Sequence, residues 1–481
     1  MSDSATAERP QERPSDTLSM LHPARLVLTL DFTNRTPLHV GSGEDIPGVL
    51  PPIERDGATV KPAFAGILRD HKGKPWIPGT TLKGMLRHLA EGGARDRLFG
   101  RSRDLGASGE GDLMAAMIVG GASMVEPAHP INDGAPYAAA LSGPAASGRH
   151  DHAYVAGRTA IDPKSGTADA GRLFHQEMLP PGLTFRCQLI LLGGDRQALD
   201  RHLSDLLPLL ARWRDGVQIG RGQADGDGLV GLVGESIQGV YHCLNPDTGA
   251  LDRTEDIVGL PEGYAPDARC EVAFKLYCRG PFVSIDASRG RKRPAQGIGR
   301  AEKEQAAQLA AQSLDGKTPL IPGSAVAGVL RARAAWIMAL EELRRGKDAT
   351  EDDRDAVYST NLKMTPVQRL FGVSGFRGLL RLSVREVSAK AAWDVTSVKL
   401  DRFSGAPIDG GLFATNTFIG TRFTLTLTLA SRSGIGEATA EDRALFDRLV
   451  ESIDNDGLML GHGTGKGFGW FKATSSAESG K

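Results

Sequence analysis

The stretch WIPGTTLKGMLR, from Trp76 to Arg87, sets two basic side chains, Lys83 and Arg87, one helical turn apart behind a Pro-Gly turn. Residues spaced i, i+4 share a helix face. Near a helix N-terminus that face adds free N–H groups and the positive end of the macrodipole, so the chemistry on offer is anion binding, with phosphate as the natural ligand. Thr80 or Thr81 is the expected N-cap, and Leu82, Met85, Leu86 and Leu89 follow at the spacing of a buried face. A solvated polar face would use the same residues. Recurrence favours the phosphate site: the motif returns as LIPGSAVAGVLR, Leu320 to Arg331. Pro322, Gly323, Ser324, Gly328 and Arg331 each lie 244 positions after Pro78, Gly79, Thr80, Gly84 and Arg87. Lys83 has no such counterpart, because position 327 is Ala327.

Other residues of reactive type are less well placed. His150-Asp151-His152 has the H-x-H spacing of metal ligands, but no further ligand is spaced to close a site, and solvated histidines on a mobile loop are the plainer reading. Lys466, in GHGTGKGFG, imitates a nucleotide loop. A Walker A motif needs glycine five positions before its Gly-Lys pair and Ser or Thr after it, where this chain has Leu460 and Gly467, which argues against an ATPase. The four cysteines, Cys187, Cys243, Cys270 and Cys278, form no CxxC pair and read as buried free thiols in a reducing cytoplasm.

The elements that must position these residues belong to a chain of 481 residues, long for one core and comfortable for two domains. Lys and Arg number 57 against 58 Asp and Glu, a net charge of -1, so any polyanion site is local. No run approaches the roughly 18 apolar residues of a membrane span. With a polar N-terminus as well, the expectation is a cytoplasmic protein with no membrane partner. Residues 1–21 and 473–481 are small and polar and are expected to be disordered.

In order, RLVLTLD (Arg25 to Asp31) alternates as a strand and ends in the glycines of LHVGSG, and a Pro-rich loop then precedes the Pro-Gly helix. Leu98-Phe99-Gly100 closes the helical region, Met117 to Glu126 and Arg186 to Leu192 read as strands, and Leu203 to Trp213 reads as an amphipathic helix. VQIGRGQADGDGLV, Val217 to Val230, is a glycine loop set against a strand. The second half repeats this order. Asp401 of LDRFSG follows Asp162 by 239, Phe413 follows Phe174 by 239, Phe423 follows Phe185 by 238, and Gly461 follows Gly220 by 241. A charged helical insertion, about 341–363, delays the second Leu-Phe-Gly. Each copy thus reads strand, helix, strand, strand, helix, glycine loop with strand. The expected fold class is α+β: two tandem ferredoxin-like domains with antiparallel sheets and large loop insertions, at 22–240 and 269–472, with a linker at 241–268.

This order of LHVGSG, RDHKGKPWIPGTTLKGMLR, LFG, D-x-x-S-G before G-x-LF, G-x-x-F and a terminal glycine loop resembles the RAMP superfamily over nearly the whole chain. Specifically it resembles the backbone subunits of type III, Csm/Cmr-like CRISPR effector complexes, with two copies fused. The resemblance implies an RRM-like domain in each copy, at one position along a guide RNA (crRNA), in a ribonucleoprotein of antiviral defence. Complementary target RNA and neighbouring complex subunits are the implied partners. Such a protein grips phosphates and 2′-OH groups and leaves base edges free. The implied RNA-binding residues are Thr81, Lys83, Arg87, Gly220, Arg221 and Gly222 in the first copy. In the second they are Ser324, Arg331, Gly461, His462, Gly463, Gly465 and Lys466. Arg289, Arg291, Lys292 and Arg293, in the basic run RGRKRPAQGIGR, form an arm over RNA.

Family members often cleave target RNA with an Asp in the loop before the Pro-Gly turn, assisted by a divalent metal. Here the expected place reads Phe64, and the nearest substitutes are Asp45 in the first copy and Asp286 in the second. The favoured expectation is therefore a non-enzymatic guide-binding subunit that needs no cofactor. The alternative is an endoribonuclease dependent on Mg²⁺ or another divalent ion, with its metal ligands unassigned.

Overall fold

The computed structural model describes residues 23–47, 53–55, 58–60, 63–101, 114–125, 153–161, 174–245, 247–261, 271–285, 311, 313, 316–348, 352–359, 363–429 and 438–474. Alternation builds the first sheet: in β1 (Ala24–Asn34) every second residue, Ala24, Leu26, Leu28, Leu30 and Phe32, is buried, as a strand with one face on a core requires. The chain continues through β2 (Gly41–Pro47), β3 (Ile53–Arg55), β4 (Ala58–Val60), β5 (Ala63–Ile67) and β6 (Trp76–Ile77) to helices α1 (Gly79–Leu89) and α2 (Gly92–Phe99). Strands β7 (Met117–Val119), β8 (Ala122–Met124), β9 (Tyr154–Arg158), β10 (Phe174–Met178) and β11 (Thr184–Gly193) lead to α3 (Arg196–Asp215). Then β12 (Val217–Gln218), β13 (Leu229–Leu232), β14 (Ser236–Leu244) and β15 (Leu251–Gly259) complete the half.

The second half opens with β16 (Glu271–Cys278), α4 (Gly323–Arg344), α5 (Pro366–Phe371) and β17 (Leu380–Ser388). It continues with β18 (Ala391–Leu400), β19 (Pro407–Ile419), β20 (Thr421–Leu429), α6 (Ala440–Asp456), β21 (Leu458–Met459) and β22 (Trp470–Ala473). The main sheets run β12-β13-β1-β11-β8-β6 and β21-β22-β16-β20-β17, so β1 and β16 take equivalent central places. In each, the neighbouring strands are antiparallel. The molecule is therefore mixed α+β and rich in sheet, in two halves.

Each sheet carries its helices on one face over a separate apolar core. In the first, the Trp213 ring of α3 lies 5.1 Å from Phe32, which stacks on Phe185 at 5.6 Å. In the second, Phe471 meets Phe282 and Phe423 edge to face at 5.2 and 5.0 Å. Side chains set the helix starts: Asp195 Oδ1 accepts the Ala198 N–H at 2.7 Å before α3, and Thr439 and Asp442 form a reciprocal capping box before α6. Helices α3 and α6 end at Gly216 and Gly457, both at positive φ.

Three expectations need correction. The segment read as a linker is largely sheet: β14 pairs with β1 from Ala24 to Thr29, and β15 pairs with β14 along its whole length. Its turn residues, Asn245 to Gly249, close a hairpin rather than mark a domain boundary. The charged insertion begins inside α4, which runs unbroken to Arg344, and among its described residues no further helix follows. That 22-residue helix, mean hydropathy 1.2, is also long and apolar enough to cross a membrane by composition. Here Val326, Leu330, Ala334 and Ile337 pack it into the second core.

The halves meet through the first glycine loop, whose short 3-10 turn (Gln223–Asp225) abuts the start of α4 and β17. A Cβ on Gly323 would lie 1.6 Å from Asp225 O, and one on Gly226 would lie 2.7 Å from Leu382 O. Gln218 Oε1 accepts from Arg381 at 3.0 Å and Arg377 at 3.3 Å, and Leu320 packs on Tyr154, Ala156 and Met178.

Candidate nucleic-acid interface

LDRFSG, read above only as a repeat landmark, builds the tip of a two-stranded ribbon, β18 paired with β19 and separate from the main sheet. Asp401 Oδ1 accepts from Phe403 N (3.0 Å), Ser404 N (2.8 Å) and Ser404 Oγ (3.0 Å), and these bonds, led by that of Ser404 N–H, hold its carboxyl below the usual range. An Asp that bonds the backbone two residues on fixes a turn, and Gly405 supplies the positive φ that closes it. The result holds Phe403 out at 101 % exposure, with Arg402 next to it in the chain and Lys399 four residues before it, both exposed. Farther down the ribbon Trp393 is 52 % exposed. A ring with nothing to pack on, beside cations, suits stacking on a base while neighbouring charges meet phosphate. Sequence reasoning missed these residues, although the D-x-x-S-G signal was visible around them.

The ribbon's base leans on the second glycine loop. Phe418 and Phe282 exchange N–H···O bonds of 2.8 Å each, and Phe418, Val283 and Ala311 pack with Phe468 of the loop. Gly461, His462, Gly465 and Lys466 are exposed there and Gly463 is half-buried, so the structure brings these five candidates to one end of the ribbon. The loop's N–H groups do less than expected. Those of His462, Lys466, Gly467, Phe468 and Gly469 donate to Val283, Gly463, Thr464, Gly463 and Pro281 carbonyls, so they shape the loop rather than wait for phosphate. The loop also presents the exposed Lys466 side chain. Just beyond, Lys472 Nζ stands 4.5 Å above the half-exposed Trp470 ring.

The first loop has the same shape and a different surrounding. Gly220, Gly222, Gly226 and Gly228 have φ of 75°, 77°, 83° and 77°, against 85°, 83°, 81° and 69° at Gly461, Gly463, Gly467 and Gly469. Beneath it lies a buried polar nest. Arg158 pairs with Asp227 and, at 3.4 Å, with Asp225, and burial pushes the Asp227 carboxyl up to about 7 against the pull of that arginine. His39 Nδ1–H donates to Glu177 O at 2.6 Å, and burial lowers the His39 pKa and keeps the ring neutral. Glu177 accepts from Ile67 N at 2.9 Å and pairs with Arg69. Gly220 backs onto His39 O and Gly222 onto Asp227, while only Arg221 of the three candidates is exposed.

The two Pro-Gly helices also differ from expectation. Pro78 and Pro322 occupy the N-cap positions and no side chain caps either helix, so Thr80 and Thr81 are not caps. Each first glycine instead lies against a carbonyl: a Cβ on Gly79 would be 2.2 Å from Val119 O, as one on Gly323 would be 1.6 Å from Asp225 O. Glycine is required there by close backbone approach. Thr81 and Lys83 are half-buried and Arg87 is exposed, and neither base forms an ion pair with a described residue. Ser324 is half-buried in the first turn of α4. Arg331 is not available at all: Nε and Nη2 bond both Asp352 oxygens at 2.7 and 3.0 Å, and Nη1 bonds Gly372 O at 2.9 Å.

Asp45 sits exposed on β2 opposite Ala65, beside a register shift in the pairing with β5. Among the described residues no group of three or more His, Cys, Asp or Glu could hold a metal ion. Asp286, the basic run from Arg289 to Lys292 and Arg293, the H-x-H histidines and Cys270 lie outside the described residues. Cys187, Cys243 and Cys278 are free thiols, and burial pushes Cys187 up to about 12.

Comparison with known proteins gives one family. The family model of the RAMP superfamily matches residues 31–230 and 287–472, one region in each half and together most of the chain. No curated protein matches it.

Proposed function

From the premise that the chain belongs to the RAMP superfamily, we propose that it is a double backbone subunit of a type III CRISPR ribonucleoprotein, which holds guide RNA by its backbone for pairing with target RNA. Each half is then one RRM-like, ferredoxin-like repeat, a reading supported by the sheet order β22-β16-β20-β17 with helices on one face. The family supports a CRISPR-associated, RNA-binding role. The observation that carries the finer reading is the ribbon tip, where a fully exposed Phe403 follows the exposed Lys399 and Arg402, on a ribbon rooted beside the second glycine loop. Stacking tolerates any base and cations meet phosphate, so the pair binds without reading sequence.

The copies are not equivalent in sequence: Lys164 stands 239 positions before Phe403, so the first copy has lysine at the position matching that phenylalanine. On α1, Lys83 and Arg87 add charge that the second copy lacks once Arg331 is committed to Asp352. The test is guide retention by the complex assembled from wild-type chain and from a Phe403→Ala, Lys466→Ala double variant, titrated with salt. Weaker retention with a shallower salt slope is expected. Identical curves would remove the ribbon and loop from the RNA path. For the cleavage reading, no carboxylate arrangement among the described residues speaks in favour. Incubation of the complex with complementary RNA and Mg²⁺, with and without Asp45→Ala, decides it.

A further inference from the structure

The first sheet ends on an open edge. β15 pairs with β14, and among the described residues no strand lies along its other side. Leu251 to Ile257 are all exposed, so this strand is bare on both faces along that length. Asn245 N–H donates to Ala250 O and Leu260 N–H to Glu235 O, each at 2.8 Å, at the two ends of the β14–β15 ladder. Bonded and non-bonded pairs alternate along an antiparallel ladder, so Asp252, Thr254, Asp256 and Val258 bond to Cys243, Tyr241, Gly239 and Ile237. Leu251, Arg253, Glu255 and Ile257 therefore turn their N–H and C=O groups to the open edge.

Charged side chains often serve to blunt such an edge. Here their order does more, because the strand is complementary to itself. When a strand meets its own copy antiparallel about a twofold axis, the contact is made twice by the same residues. With the axis at Thr254, Arg253 comes opposite Glu255 and Leu251 opposite Ile257, all four through their outward-facing main-chain groups. An axis at Arg253 or at Glu255 sets like charges opposite each other, and one at Asp252 or Asp256 forms neither match. The matched side chains are available: Leu251 and Ile257 are 53 % and 77 % exposed, and Arg253 and Glu255, 2.7 Å apart, are more than half exposed. On the other face Asp252 comes opposite Asp256, whose charge Arg196 meets at 3.6 Å.

We propose that β15 is a dimerisation edge, at which two copies of this chain join β15 to β15 antiparallel about Thr254 and form one continuous sheet across the axis. Each outward-facing pair adds two main-chain hydrogen bonds. Arg253 and Glu255 of both copies close a cluster of alternating charge, Leu251 and Ile257 cover each other at its two ends, and Thr254 faces Thr254 on the axis. Opposite charges, apolar pairs and threonine pairs directly across a ladder all stabilise it. Strand addition draws affinity from the main chain and specificity from alternate side chains, and here both are set by one strand. The inference does not depend on RNA binding.

The test is sedimentation equilibrium of the full chain, free of RNA, over a series of concentrations. A reversible monomer–dimer equilibrium is expected for the wild type. Arg253→Glu and Glu255→Arg should each weaken it at least tenfold, because either change sets like charges opposite each other across the axis. Mixed in equal amounts, the two single variants should dimerise about as well as the wild type, since acid then meets base at every position, and the double variant should again pair with itself. Both side chains lie outside the core, so the variants keep the fold, which circular dichroism checks. A chain that stays monomeric at every concentration overturns the proposal, and so does a dimer indifferent to the single changes. A loss that neither mixing nor the double variant restores also overturns it, because the contact is then not this strand in this register.

Discussion

Single residues carry the sharpest expectations. Phe403 touches nothing that its loss would unpack, so Phe403→Ala should leave the melting temperature unchanged and cost about 1–3 kcal/mol of RNA retention, the worth of one stacked base, measured on the assembled complex and restored by Phe403→Trp. Arg331 is the reverse case. Its removal leaves Asp352, 8 % exposed, with only Arg354 at 3.9 Å, so the loss falls at or below the ~3–5 kcal/mol of a broken buried pair. Urea unfolding of Arg331→Ala should show a loss of that order, and a stable variant that releases RNA would return Arg331 to the interface. His39 gives a pH dependence. Its folded pKa is lowered by burial from the ordinary 6.5, so its contribution is present above that value and is lost as pH falls through the folded pKa. His39→Gln should flatten the acid side of the stability curve, to which His202, lowered for the same reason, still contributes.

At the scale of elements, Pro-Gly helix starts were legible and their purpose was not. Pro at the turn and apolar residues at i, i+3, i+4 suffice to place α1 and α4, and Leu82, Leu86, Val326 and Leu330 are buried as that spacing requires. The conserved spacing between the two copies suggested an anion at each N-terminus. Instead a backbone carbonyl crosses each first glycine, from the same half at Gly79 and from the other half at Gly323. Gly323→Ala should therefore loosen the junction of the halves, seen as faster proteolysis between them, whereas Gly328→Ala, with open space at its Cβ, should stabilise α4 by up to about 1 kcal/mol. Equal behaviour of the two variants would show that the junction does not depend on this contact. Glycine loops tell a similar story: of their N–H groups, those of Arg221, Gly228, His462 and Gly469 go to carbonyls of residues 37–39 and 281–283, and others close the loops on themselves.

For the whole molecule the important quantity is asymmetry between two copies of one plan. Sequence identity of motifs hides that the first glycine loop is packed against α4 and β17 while the Cβ position of Gly467 in the second meets nothing within 4 Å. Exposed charge is divided the same way, with Arg87 on the first half and Lys466 on the second. Each cation that meets a phosphate of single-stranded RNA steepens the logarithmic salt dependence by about 0.7. Lys83→Ala with Arg87→Ala should thus shallow the slope of guide retention by about 1.4 if both act, and an unchanged slope would take α1 away from the RNA.

Read alone, the sequence pointed to two α+β copies of one plan, to the first strand, the Pro-Gly helices and the glycine loops of that plan, and to one family for both. These properties follow from periodicity and from residue order, which are local and repeat at a nearly constant offset. Tertiary structure alone decided which of the matching residues are usable. Arg87 and Arg331 occupy the same place in the same motif, yet one faces solvent and the other is held by Asp352, an acid from an insertion only the second copy has. The stretch 241–268 reads as turn-rich connection, yet much of it belongs to β14 and β15 and extends the first sheet, because a strand's register is set by the edge that awaits it. Exposure and pairing depend on residues far apart in the chain, and no local pattern encodes them.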